Sequence, residues 1–87
     1  MLLDNFLVEI IFPGMDRSYD FWIPKRMTVQ TAIEQIVMEI VRFEESTVPS
    51  QKIQEKIICS KRTGEILCIR NTMLEAGVRS GDTLVLL

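Results

Sequence analysis

Apolar and polar residues alternate along "FLVEIIF" (Phe6 to Phe12), and the alternation resumes after "PGMD" in "RSYDFWI" (Arg17 to Ile23). Two period-two runs of β-favouring residues on either side of proline-glycine punctuation predict a hairpin. With Glu9 on the solvent side, Phe6, Val8, Ile10 and Phe12 point inward, and Leu7, Glu9 and Ile11 point outward. In the second strand Tyr19, Phe21 and Ile23 go in, while Ser18, Asp20 and Trp22 go out. Pro24 has no N–H for a continuing ladder and ends the strand.

The period then changes. In "MTVQTAIEQIVMEIVRFEE" the residues Val29, Ile33, Ile36, Val37 and Ile40 recur at helical spacing on one stripe, with Gln30, Glu34, Gln35 and Glu39 off it. Thr28 is the expected N-cap, with Met27 packing before it, and the helix is expected to run to about Phe43. Glu44-Glu45 oppose the helix dipole, so fraying is expected there. "STVPSQKIQEK" (Ser46 to Lys56) reads as a loop. "KIICS" and "ILCIR" around "KRTGE" predict a second hairpin whose Gly64 supplies positive φ, and a Gly81-Asp82 turn leads into a last strand, Thr83 to Leu87.

The order strand, strand, helix, strand, strand, strand predicts an α+β fold. One helix covers one face of a mixed sheet of four to five strands, and the β-grasp arrangement, with the terminal strand beside the first, is the compact solution. Residues 1–87 are expected to form one domain, because a chain of 87 residues is too short for two cores.

Composition narrows the function. A chain that is 47% hydrophobic and 25% charged is typical of soluble globular proteins, and its uncharged stretches fall short of the roughly 18 residues of a membrane span. Direct membrane insertion is therefore not expected. A net charge of −2, with Lys25-Arg26 and Lys61-Arg62 as isolated basic pairs, argues against nucleic acid as a partner. "MLLDNFL" carries Asp4 and no basic leader, so a cytoplasmic location is expected.

The chain has no histidine, and hence lacks the commonest general base; it also has no P-loop, GxGxxG or metal-ligand spacing. Neither catalysis nor a cofactor is expected. Cys59 and Cys68 form either a disulfide or half of a metal site, or they are two small buried hydrophobes. Without histidine or CxxC spacing, and in a reducing compartment, the buried reading is favoured.

The opening hairpin, the Thr28-capped helix and "TMLEAGVRSGDTLVLL" together resemble the ubiquitin-like superfamily over nearly the whole chain. Met73, Val78 five residues later, Gly81-Asp82 and an alternating strand match its closing pattern. Within it, the chain is similar to small bacterial proteins of the YukD/EsaB type. That resemblance implies an accessory or regulatory role in a type VII (WXG100) secretion system, with a protein partner such as a membrane or ATPase component. Modifiers and sulfur carriers of this superfamily need a flexible Gly-Gly tail, whereas here Leu86-Leu87 close a strand, so conjugation is not expected.

A sheet covered on one side should be polar on the other. Its inferred outer positions instead include Leu7, Ile11 and Trp22, joined by Ile58 if Cys59 faces the helix, and by Val85 and Leu87 if Leu84 and Leu86 pack inward. These six are the candidate protein-binding patch, with Trp22 as its aromatic anchor and Arg17, Asp20 and Arg79 as a polar rim. The alternative is that Trp22 is core or lies under the Ser46 to Lys56 loop. A homodimer through the outer face or an exposed edge strand is a second reading of the same features.

Overall fold

The computed structural model describes residues 4–44 and 56–87. The loop expected from Ser46 to Lys56 lies outside them apart from Lys56, and so does Glu45 of the acidic pair expected to fray. Strands β1 (Asn5–Phe12) and β2 (Arg17–Pro24) are followed by helix α1 (Val29–Glu44) and strands β3 (Ile58–Ser60) and β4 (Thr83–Leu86). Among the described residues the sheet has four strands in the order β2-β1-β4-β3, with β1 and β4 parallel and the other pairs antiparallel. This is the α+β arrangement expected, with the last strand beside the first.

Alternation decides the sheet's faces. Phe6, Val8, Ile10 and Phe12 are all buried under α1, whose own stripe of Val29, Ile33, Ile36, Val37 and Ile40 is buried against them together with Ala32. On β2 the inward side chains thin out toward the turn: Ile23 is buried, whereas Tyr19 and Phe21 are partly buried and pack on the core's flank. An edge strand reaches past what one helix can cover. Tyr19 compensates by meeting Phe12 edge-to-face at 5.9 Å.

Thr28 caps the helix as its sequence implies, its Oγ1 accepting from the Thr31 N–H at 3.2 Å. The two amides before Thr31 are taken by the chain that precedes β4: Val29 N–H donates to Asn71 O and Gln30 N–H to Ile69 O. This explains why the second predicted hairpin is only begun. Its turn closes through Gly64 N–H to Ser60 O, with Gly64 at φ 75°, and Cys59 bridges Ile66. Beyond Leu67 the Cys68 carbonyl closes a turn with the Asn71 N–H and the Ile69 and Asn71 carbonyls turn to the helix, so "ILCIR" forms no strand.

Thr72 and Glu75 then cap each other's amides, at 2.9 and 3.1 Å, across "TMLE". Met73 is strapped down by its N–H to Met27 O and is 0% exposed beneath the helix start. Thr28→Ala is expected to cost about 1 kcal/mol, with Thr28→Ser retaining most of that stability. Met73→Ala is expected to cost about 2–5 kcal/mol by opening a cavity; urea denaturation measures both.

Candidate functional site

The strand registers set the outer face of the sheet in three rows. Trp22 lies opposite Leu7 at one end; Asp20, Glu9 and Thr83 align in the middle; Ser18, Ile11, Val85 and Cys59 align at the other end. Leu87 lies one row beyond, since its backbone exchanges both hydrogen bonds with Ile57. Trp22 is 52% exposed and Leu87 53%, while Leu7, Ile11 and Val85 are partly buried by their neighbours.

The middle row divides the expected patch. Glu9 accepts from Ser18 Oγ at 3.1 Å through one carboxylate oxygen and from Thr83 Oγ1 at 3.3 Å through the other. A carboxylate held by hydroxyls on both neighbouring strands forms a polar bar across the face. Leu7 and Trp22 therefore stand apart from Ile11, Val85 and Leu87. Of the rim residues, Asp20 lies two positions from Trp22 on the same face, and Arg79 belongs to the turn that docks on Leu7. Arg17, one position from Ser18, is exposed at the start of β2.

Two expectations are corrected. Ile58 is 0% exposed and faces the helix, because it pairs with the inward Leu86; Cys59, paired with Val85, faces out in its place. Neither cysteine is a buried hydrophobe: Cys59 is partly buried and Cys68 exposed, and both are free thiols. Ile58 and Leu67 occupy the inward positions; in β3 the period of two turns Cys59 outward, while Cys68 follows Leu67 in irregular chain and is exposed. No cluster of three or more metal-ligating side chains occurs among the described residues.

No family model matches the sequence, and neither does any curated protein. Solved structures do match. The ubiquitin-like domain of an Arabidopsis thaliana protein superposes with a TM-score of 0.70 at 15% identity, over 95% of this chain and 76% of that one. Caldiarchaeum subterraneum ubiquitin gives 0.66 at 17% identity, over 94% of this chain and 90% of its own. The fold is ubiquitin-like. A chain of the MycP5-free ESX-5 inner membrane complex also matches, with a TM-score of 0.67 at 14% identity, over 97% of this chain and 21% of that one.

The last strand is held in place by a charged clamp that no local pattern in the sequence announces. Asp82, 8% exposed, accepts from Arg62 Nε at 3.0 Å and Nη2 at 3.2 Å, and from the Arg79 N–H at 3.0 Å. The same Nη2 donates to Gly77 O at 2.7 Å. Nothing in the sequence pairs Arg62 with Asp82 across 20 positions. A signal for half of it was present: an aspartate after glycine that must fit beneath a turn needs donors.

Burial pushes the Asp82 carboxyl up, but the Arg62 and Arg79 hydrogen bonds and charges outweigh it and hold the pKa below the ordinary aspartate value. A carboxylate depressed in the folded state stabilises fully above its unfolded pKa of about 4, and this stability is lost as pH falls through the lower folded pKa. Asp82→Asn is expected to lower the urea midpoint near neutral pH and to flatten its decline on acidification below about pH 4. Urea titrations of both proteins across that range test this.

Proposed function

We propose that this chain is a non-catalytic ubiquitin-like protein-interaction domain that acts as an accessory or regulatory component of a type VII (ESX-like) secretion system. Its place of work is the cytoplasmic side, against a larger membrane or ATPase component. The observation that carries the reading is Trp22, half exposed opposite Leu7 on a sheet face that α1 leaves uncovered. An aromatic side chain standing in water beside an apolar neighbour is a surface that gains most from a partner's contact.

The direction toward secretion is supported by the YukD/EsaB resemblance of the closing segment and by the likeness to a chain of the ESX-5 inner membrane complex. Among the described residues no helix is long and apolar enough to cross a membrane, so attachment to such a complex would be through protein contact. The chain corresponds to 21% of that ESX-5 chain, which leaves room for a ubiquitin-like part within a larger component or beside it.

Deleting the gene is expected to reduce export of small WXG100-type substrates, and affinity capture of the tagged chain to recover a secretion-complex component. Trp22→Ala is expected to weaken that contact by about 2 kcal/mol, near thirty-fold, while changing stability by no more than about 0.5 kcal/mol. Unchanged export in the deletion strain would remove the secretion reading. Undiminished binding by the variant would remove Trp22 from the interface.

A further inference from the structure

β2 is the outermost strand of the sheet on its side. The Lys25 N–H donates to Asp4 O at 2.8 Å, which sets the phase of the β1–β2 ladder. Antiparallel bonding alternates, so Phe6–Ile23, Val8–Phe21 and Ile10–Tyr19 are the pairs that exchange backbone bonds. The opposite phase of β1 agrees: Leu7 O and Glu9 N–H are turned to Gly81 and Asp82. The backbone N–H and C=O groups of Ser18, Asp20 and Trp22 therefore point away from the sheet, and no described residue takes them. At the next outward position the edge ends: Pro24 has no N–H, and its carbonyl accepts from the Met27 N–H at 3.1 Å.

Beside this row runs a groove of about 360 Å³ between β2 and α1. Phe21, Met27, Ala32 and Ile36 give it an apolar floor, and both charged residues of its lining, Asp20 and Glu39, are acids. Lys25 does not line it; its Nζ sits 5.3 Å from the centre of the Phe6 ring.

We propose that the β2 edge captures an extended segment of a partner protein as an added strand, with alternate apolar side chains in the groove and a Lys or Arg against Asp20 and Glu39. This rests on the protein-interaction reading and supplies its mode of contact. Unpaired backbone groups at every second residue select an extended occupant, because only that conformation repeats donors and acceptors at the same spacing. From Ser18 to Trp22 the edge accommodates about 16 Å of strand, roughly five residues. The groove on one side sets the alternation of the guest, and the two acids set its charge. A second copy of this chain fits less well: antiparallel β2 edges centred on Asp20 would place that carboxylate against its own image.

Selection of a displayed random-peptide library on the whole chain, followed by amide hydrogen exchange with a selected peptide bound, tests the proposal. Enriched peptides should alternate apolar residues next to Lys or Arg, and should slow exchange at the Ser18, Asp20 and Trp22 amides at least ten-fold. Asp20→Pro removes an outward N–H and no β1 bond, and should weaken binding at least ten-fold. The double variant Asp20→Lys with Glu39→Lys keeps the backbone intact and should do the same.

Peptides that protect only other residues, no enrichment at all, full affinity in the double variant, or the same protection arising in concentrated peptide-free protein would each overturn the proposal. Capture of a secretion component that survives Asp20→Pro but not Trp22→Ala would sink the edge while leaving the secretion reading. Edge binding of a selected peptide without any export defect on deletion would uphold the edge and sink the secretion reading.

Discussion

The parallel seam between β1 and β4 is the constraint on which the rest of this fold depends. Parallel neighbours cannot be joined by a tight turn, so the chain must travel through α1 and β3 and return at the correct height. The turn before β4 performs the docking: Gly81 N–H reaches Leu7 O, Glu9 N–H reaches Asp82 O, and Ser80 Oγ accepts from Leu7 N–H. Beneath these bonds the Asp82 carboxylate is gripped by Arg62 and the Arg79 amide. Ile10 and Leu84, both 0% exposed, are adjacent across the seam, so a slip of one residue would turn the core faces to water.

The single helix is seated by the same economy. Its first amides have no intrahelical acceptors, and they find them in Thr28 Oγ1, Ile69 O and Asn71 O. Using the backbone of the connection to start the helix prevents that connection from pairing as a strand. It also brings Met73 under the helix start, where its side chain closes that end of the core. Two polar bridges, Thr28–Thr31 and Thr72–Glu75, therefore position an apolar contact.

On the face that α1 leaves open, the polar bar at Glu9 changes what the proposed partner can use. An unbroken apolar surface would favour non-specific association, whereas two separate apolar ends divided by a held carboxylate require a partner with matching chemistry. Trp22 belongs both to one of those ends and to the open edge of β2, where the backbone of a guest strand can pair. The proposed side-chain anchor and the proposed strand addition thus meet at the same corner of the sheet.

Local periodicity by itself determined the faces of β1, the buried stripe of α1, the Thr28 cap and the turn at Gly64, because each is settled by residues within one turn or one hairpin. It also placed Trp22, Leu7, Ile11 and Val85 on the outer side. Only tertiary structure decided the rest. Ile58 and Cys59 are both small enough to face either way in a three-residue strand, and it is pairing with Leu86 and Val85 that puts the isoleucine inside. Likewise the division of the patch by Glu9 needs strands distant in sequence to lie side by side. The Arg62–Asp82 clamp is a contact of charges whose partners no local pattern can name, since electrostatic pairing carries no periodicity along the chain.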